Sequence, residues 1–385
     1  MIYLNAASTT KPDRKVIDDF VWCAENMWHN PSDISQSSMD AKNLIYKAQQ
    51  QVADSINAKP EEIIFTSGAT EANNWAIKGY LDRYEVDLIF TTEIEHPSVH
   101  NTCLFCKERG TRLIYITVNE CGMVDLNYFE KMMKIHGNVC KILVSIMFVN
   151  NEIGTVQPIK KISEIVHKYG GVLHIDAVQA YMHTPIDVEK MGIDMMSTSF
   201  HKFGGFKSCG FLYIRNDIEL TPLIHGGHQF DSKRSGTENV PMIYAMGNQV
   251  ERLSNNLDAM MKMTKELYDY TLHKVYDACG DLCDVYLNGD PEQRLYNNLS
   301  LTFTGINAEQ LITLLDLKGI QVSAGSACSA GSKKPSKVLK AIGLSDEEAF
   351  NTIRVSFGYN TTKKDVDVFV DALVECIESL QMFGN

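Results

Sequence analysis

Two segments of the chain carry residues that can attack or capture a carbon or sulfur centre. The first is Ser197-Thr198-Ser199-Phe200-His201-Lys202-Phe203-Gly204-Gly205, with Lys202 just past an apolar run. An amine in a dry pocket loses its proton more readily than in water and can then form a Schiff base. The neighbouring Ser199 and His201 could hold a phosphate and a carbonyl. The second is Ser323-Ala324-Gly325-Ser326-Ala327-Cys328-Ser329-Ala330-Gly331-Ser332, ten tiny residues in a row. Such a run cannot pack a core and predicts a mobile loop. A thiol exposed at its middle is a candidate nucleophile, the alternative being an inert cysteine in a linker.

Three further segments could hold and polarise a ligand. Thr66-Ser67-Gly68-Ala69-Thr70-Glu71 lies between a strand and a helix. Small residues let backbone N–H groups approach an anion, and a helix N-terminus favours negative charge, so the segment suits a phosphate or serves as a plain helix cap. In His174-Ile175-Asp176-Ala177-Val178-Gln179, Asp176 falls at the carboxyl end of an apolar run. A carboxylate there needs a cation or several donors. A pyridinium nitrogen would serve, with Gln179 donating to a second polar atom of the same ring; a helix-capping Asp is the alternative. His96-Pro97 follows a strand that ends near Thr91. Its imidazole can stack on a ring, shuttle protons, or do no more than start a helix.

The elements that must position these groups alternate. Ile63 to Phe65, Leu88 to Phe90, Leu113 to Ile116, Ile142 to Val149 and Val172 to Ile175 read as strands. Helical patterns over Glu71 to Leu81, Val99 to Arg109 and Ile159 to Tyr169 separate them. The wholly apolar run Ile142 to Val149 suits the middle of a parallel sheet. This rhythm predicts an open α/β sheet with helices on both faces, and ligands in such sheets bind at the carboxyl ends of the strands. Near residue 245 the rhythm breaks. One long helical stretch, about Ala245 to Ala278, precedes strands at Leu299 to Phe303, Ile320 to Val322 and Ile353 to Phe357. Helices are predicted at Ala308 to Leu317, after the capping box Ser345/Glu348, and from about Lys363 to Leu380. The expected division is a large α/β domain over 15–250 and a smaller α+β domain formed by 1–14 with 251–385.

Composition narrows the function. Lys and Arg number 36 against 48 Asp and Glu, a net charge of −12. An acidic chain repels phosphate backbones, so direct nucleic-acid binding is not expected. The most apolar run is too short for a bilayer, and the N-terminus has no signal-peptide pattern, so the expectation is a cytoplasmic protein without membrane contact. The ten cysteines do not form a compact disulfide framework. Cys103 with Cys106, and Cys279 with Cys283, could hold zinc only by a long-range coincidence; small buried hydrophobes are the plainer reading, and no metal is expected.

Taken together, Lys202 and Cys328 make the chain resemble the cysteine desulfurases, pyridoxal-phosphate enzymes of the class V aminotransferase type. The likeness runs from Tyr3-Leu4-Asn5 to the terminal helix. Its most specific matches are Thr66 to Glu71, Glu95-His96, Asn150-Asn151-Glu152-Ile153-Gly154, Asp176 to Gln179, His201-Lys202, Arg234-Ser235-Gly236-Thr237 and Gly325 to Cys328. The resemblance implies a mostly parallel, seven-stranded transferase sheet. It implies that Lys202 carries pyridoxal 5'-phosphate, that Asp176 pairs with the ring nitrogen and that His96 stacks on the ring and helps Lys202 move protons. Gln179 and Asn151 would meet the ring oxygen and the substrate. Ala69, Thr70, Ser199 and His201 would bind the phosphate, and Thr237 would reach the phosphate of a second subunit, which implies a homodimer. Arg354 would grip the carboxylate of L-cysteine. Cys328 would take its sulfur as a persulfide, leaving alanine, for delivery to an acceptor protein such as an iron–sulfur scaffold or a thiolation enzyme. Related lyases acting on selenocysteine, cysteine sulfinate or cystine are the alternative. The sequence departs from the family pattern at Asn5, at Phe206, and at His228-Gln229-Phe230-Asp231-Ser232-Lys233.

Overall fold

A computed structural model describes residues 1–137, 139–325 and 334–383. The chain opens with a short strand, β1 (Ile2–Tyr3), and two helices, α1 (Arg14–Asn26) and α2 (Gln36–Asp54). Alternation follows: β2 (Ile63–Thr66), α3 (Ala69–Tyr84), β3 (Leu88–Thr92), α4 (Pro97–Glu108), β4 (Arg112–Ile116), α5 (Leu126–His136), β5 (Ile142–Met147), α6 (Ile159–Lys168), β6 (Val172–Asp176), α7 (Val188–Met191), β7 (Met195–Ser197) and β8 (Gly210–Ile214). The remainder comprises α8 (Val240–Ser254), α9 (Leu257–Cys279), β9 (Val285–Asn288), β10 (Asn298–Phe303), α10 (Ala308–Leu317), β11 (Ile320–Gln321), α11 (Lys337–Ala341), α12 (Asp346–Phe350), β12 (Thr352–Ser356) and α13 (Lys363–Phe383).

Seven strands form one sheet in the order β2-β8-β7-β6-β5-β3-β4. Only β8 runs against its neighbours. The other six therefore point the same way, and their carboxyl ends share one edge. Side chains alternate faces along each strand. Ile63, Phe65, Leu88, Phe90, Val144 and Ile146 join one apolar cluster with α1, α2, α6 and α8. Ile64, Ile89 and Leu143 join another with α3 and α4 on the opposite face. That two-sided burial is why these strands read as continuous apolar runs.

A second sheet, β12-β10-β9, is antiparallel. It packs with α9, α10 and α13 around its own apolar cluster. Strand β1 pairs in parallel with β11, Ile2 opposite Ile320, and Leu4 enters the same cluster. The first residues thus pack with this smaller part. Among the described residues no helix is long and apolar enough to cross a membrane.

The predicted long helix is two. It breaks at Asn255-Asn256, where the Asn256 side-chain amide donates to Arg252 O at 2.8 Å. A short amide that bonds the preceding turn competes with the helical ladder. Sequence periodicity also passes over α1 and α2. Each buries only a narrow stripe, in α1 just Val16 and Cys23. The antiparallel strand β8, set between β2 and β7, also falls outside the predicted strands.

Candidate functional site

At the shared edge lies a cavity of about 910 Å³. Its first wall is the turn from β2 into α3. Gly68 there has φ +133°, a conformation that L side chains rarely adopt. No side chain caps the N-terminus of α3, and Ser67, Gly68, Ala69 and Thr70 all line the cavity. The first-turn N–H groups are therefore available to an anion. Ser199 and His201 line the same part. Burial pushes His201 down to about 4, with the charges of Lys202 and Lys207 adding to it. Glu71, also on the cavity wall, is gripped by Arg234 at 2.9 and 3.2 Å. Burial opposes its ionisation, but the bonds from Arg234 and Ser67 outweigh it and its pKa is lowered.

Asp176 ends β6 and is nearly inaccessible. It accepts from Val178 N at 3.1 Å and from Asn73 Nδ2 at 2.8 Å. Asn73, one turn into α3 and fully buried, also donates to Ser98 Oγ at 2.8 Å. Ser98 in turn meets His96: its N–H lies 3.1 Å and its Oγ 2.8 Å from His96 Nδ1. His96 is thus the N-cap of α4 as well as part of the cavity wall. Burial lowers its pKa; Asp176 opposes this and Lys202 adds to it.

Lys202 ends a single tight turn, Phe200–Lys202, and lines the cavity. Its Nζ donates to Ala7 O at 2.8 Å and Ser8 O at 2.7 Å. The N-terminal segment fastens this turn further, with Thr10 N donating to His201 O at 2.8 Å and Asp13 N to Gly204 O at 2.8 Å. Behind it His183, pushed down to about 4 by burial and so neutral, donates from Nε2 to Lys202 O at 3.1 Å.

Arg354 comes from β12 of the smaller part and is 1% exposed. Its guanidinium donates to Asn151 O at 2.8 Å and to Asn5 Oδ1 at 2.9 Å. Asn5 is a neutral acceptor, so position 5 adds no counter-charge to the guanidinium. Glu152 lies close by, buried, and accepts from Ser336 Oγ at 2.5 Å. Burial raises its pKa, while Ser336 and Arg354 pull it down. One cavity thus faces an amine, a carboxylate, a guanidinium and an uncapped helix end. That set suits a flat ring with an anionic tail and a small amino acid beside it.

The class-V aminotransferase family model matches residues 2–369. A curated relative from Dictyoglomus turgidum, named cysteine desulfurase IscS, is 40% identical over 382 residues, covering 99% of this chain and 95% of the relative. The chain belongs to the cysteine desulfurases of the class-V aminotransferase family. A relative of the same name from Methanosarcina thermophila is 38% identical, with coverage of 99% and 93%. Among solved structures, a NifS-like protein superposes with a TM-score of 0.90 at 33% identity, covering 98% of this chain and 100% of that one. A structure of SspA in complex with cysteine superposes with a TM-score of 0.80 at 33% identity, covering 94% and 100%.

The residues that the resemblance singles out are mostly brought together. Ala69, Thr70, His96, Asn151, Asp176, Gln179, Ser199, His201, Lys202 and Arg354 all line the one cavity. Gln179 spends its amide on Ala7 O, at 2.9 Å. Thr237 is exposed and is not in the cavity wall. Cys328 lies outside the described residues. The departing segment at 228–233 has three successive residues in the left-handed region, Phe230, Asp231 and Ser232, with φ of 47°, 56° and 64°. Cys103 and Cys106 are buried in α4, as small hydrophobes. Sequence reasoning missed Asn73, Ser98, His183 and the carbonyls of Ala7 and Ser8. Asn73 carried a usable signal, a polar residue amid the apolar stripe Ala72, Ala76 and Ile77 of one helix.

Proposed function

We propose that the protein is a pyridoxal-phosphate-dependent cysteine desulfurase. It would convert L-cysteine to L-alanine and leave the sulfur on Cys328 as a persulfide for an acceptor protein. The observation that carries this reading is the meeting of Lys202, Asp176 and Arg354 on one cavity with an uncapped helix N-terminus. The uncapped end, Ser199 and His201 fit a phosphate. Asp176, with two donors of its own, fits a protonated ring nitrogen. Lys202 fits the carbonyl carbon. When bound, the cofactor would supply an electron sink for bonds broken at the substrate Cα and Cβ.

The residues of the chain do the rest. Arg354, neutral-partnered at Asn5, holds the substrate carboxylate through parallel N–H bonds and so orients the sulfur. Ala7 O and Ser8 O fix the Lys202 amine within the cavity. There it takes up and returns protons. The Cys328 thiolate attacks the substrate sulfur and the Cβ–S bond breaks. Cysteine plus one thiol gives alanine plus one persulfide, so atoms balance without an outside oxidant or reductant.

The same reading includes a homodimer in which Thr237 serves the partner's phosphate site. The exposed apolar side chains Trp28, Ile34, Met39 and Tyr46, on α2 or in the segment before it, are ones that a second copy would cover. It places the protein in the cytoplasm; the nine described cysteines are all unpaired, which suits a reducing compartment. It divides the chain into 15–250 and 1–14 with 251–385, supported by the separate apolar clusters. An iron–sulfur scaffold or a thiolation enzyme would receive the sulfur. The deciding assay supplies L-cysteine with a thiol reductant and measures alanine and sulfide together. Equal amounts of both support desulfuration. Pyruvate in place of alanine, or turnover only of selenocysteine, cysteine sulfinate or cystine, would assign a related lyase.

A further inference from the structure

His96 is well placed to be taken for a base, yet its contacts fix where its proton sits. The Ser98 backbone N–H donates to Nδ1 at 3.1 Å. A backbone N–H can only donate, so Nδ1 presents a lone pair and carries no hydrogen. The neutral ring therefore keeps its single proton on Nε2. The polar atoms behind it enforce the same order. Asn73 Nδ2 lies 2.8 Å from Asp176 Oδ2 and 2.8 Å from Ser98 Oγ. An amide nitrogen has two hydrogens and no lone pair to offer, so one hydrogen goes to each. Because the Ser98 N–H already requires Nδ1 to be bare, the Ser98 hydroxyl, which can accept from Asn73 and still donate, can turn its hydrogen to Nδ1 at 2.8 Å. Asn73 and Asp176 are buried, so solvent does not interrupt the sequence of donors.

We propose that His96 serves the reaction as a fixed hydrogen-bond donor through Nε2–H, not as a base, with Ser98 and Asn73 as the residues that position it. This rests on the desulfurase reading above and assigns the proton traffic of that reaction. A ring whose Nδ1 lone pair is engaged by the fixed Ser98 N–H has no open site there for a proton. Nor can it take one at Nε2, which already holds one. Giving that proton up would make an imidazolate, far from reach near neutral pH. The hydrogen that Cβ gains between cysteine and alanine comes from a thiol. Lys202 Nζ is then the group that takes it up and passes it on. Burial favours the neutral ring that this scheme needs.

The test reads the nitrogens directly. Histidine-selective 15N labelling of the holoenzyme, with His96 assigned by its loss in His96→Gln, should give a protonated Nε2 and an unprotonated Nδ1. Both signals should stay fixed from about pH 6 to 8. The kinetic arm uses His96→Gln, whose amide donates but cannot carry a proton, and should lower kcat by no more than about ten-fold. Loss of a true acid–base group costs roughly 10²- to 10⁴-fold. A proton on Nδ1, or a titration within that range, overturns the proposal. So does a fall of kcat beyond about a hundred-fold in cofactor-loaded His96→Gln. If the wild type makes no alanine from L-cysteine, the desulfurase reading fails, and the 15N result still decides the state of His96.

Discussion

Replacing Glu95 by Gln should make the protein more stable at alkaline pH and leave it unchanged in acid. Glu95 sits beside the carboxyl ends of β3 and β5, buried in the cavity wall. Oε1 accepts from Thr92 Oγ1 at 2.6 Å, and Oε2 is buried with no protein partner among the described residues. Burial pushes its pKa up to about 8 from 4.5; bonds from Thr92 and Met147 pull the other way, and the charge of Asp176 adds to the rise. In the folded protein the carboxyl thus keeps its proton up to about pH 8, whereas in the unfolded chain it is lost near the ordinary value. Folding takes up a proton between these limits, so stability is fully present below the unfolded pKa and falls as pH rises toward 8. Each pH unit costs about 1.4 kcal/mol, or about 4 kcal/mol between pH 5 and 8. Gln is a neutral isostere of the protonated acid and has no such slope. Guanidinium unfolding of wild type and Glu95→Gln, followed by the fluorescence of the buried Trp75, should give curves that coincide near pH 5 and diverge steadily to pH 8, the variant being the more stable. Parallel curves across that range would show that Glu95 is ionised in the fold and that the desolvation argument is wrong.

Asn73→Ala removes a donor from the Asp176 carboxylate, and a hydrogen bond to a charge is worth ~1.5–3 kcal/mol. Dialysis against cofactor-free buffer should show pyridoxal phosphate retained roughly 10- to 100-fold less tightly; unchanged retention would exclude Asn73 from cofactor holding. Arg354→Ala should cut kcat/KM for L-cysteine by about 30- to 4000-fold, the ~2–5 kcal/mol of a broken buried charge pair, with cofactor still bound. Arg354→Lys should recover only part, because an ammonium cannot make two parallel bonds; full recovery would refute carboxylate clamping. Cys328→Ser should keep the spectral response to L-cysteine yet release no alanine, while Cys209→Ser stays active. Cys209 is buried beside Met246 with its thiol pushed up to about 12. Ser336→Asp keeps an acceptor for Leu339 N but sets a charge against Glu152. It should lower kcat several-fold with the cofactor spectrum unchanged, and Ser336→Thr should not; equal rates would show that the Glu152 contact is idle.

The chemistry-bearing loops were readable because each follows a strand whose apolar pattern is unambiguous. Ser67 to Thr70, His96 and Asp176 fall where parallel strands end, and such strands must carry their polar groups at the ends because both faces are buried. The capping box at Ser345 and Glu348 and the helix at Ala308–Leu317 formed as their local rules predict. These are short-range effects, complete within a few residues. Family likeness then assigned roles to Lys202 and Arg354 that spacing alone could not, since a lysine after a strand is most often a solvated one.

Contacts between distant segments were beyond any local rule. Nothing near Asn73 announces that its amide will bridge Asp176, 103 residues away, and Ser98, 25 residues away. Nothing near Lys202 announces that its ammonium will sit on Ala7 O and Ser8 O, 195 and 194 residues earlier. The neutral side chain of Asn5 acquires meaning only when β12 brings Arg354 against it. By itself the sequence determined which residue types could work, and on which strand ends they would stand, because hydrophobic periodicity and capping are written locally. The tertiary structure alone decided their partners. A buried polar atom must satisfy its hydrogen bonds with whatever the fold brings to it, and that choice settles the direction of each donor, including the nitrogen of His96 that keeps its proton.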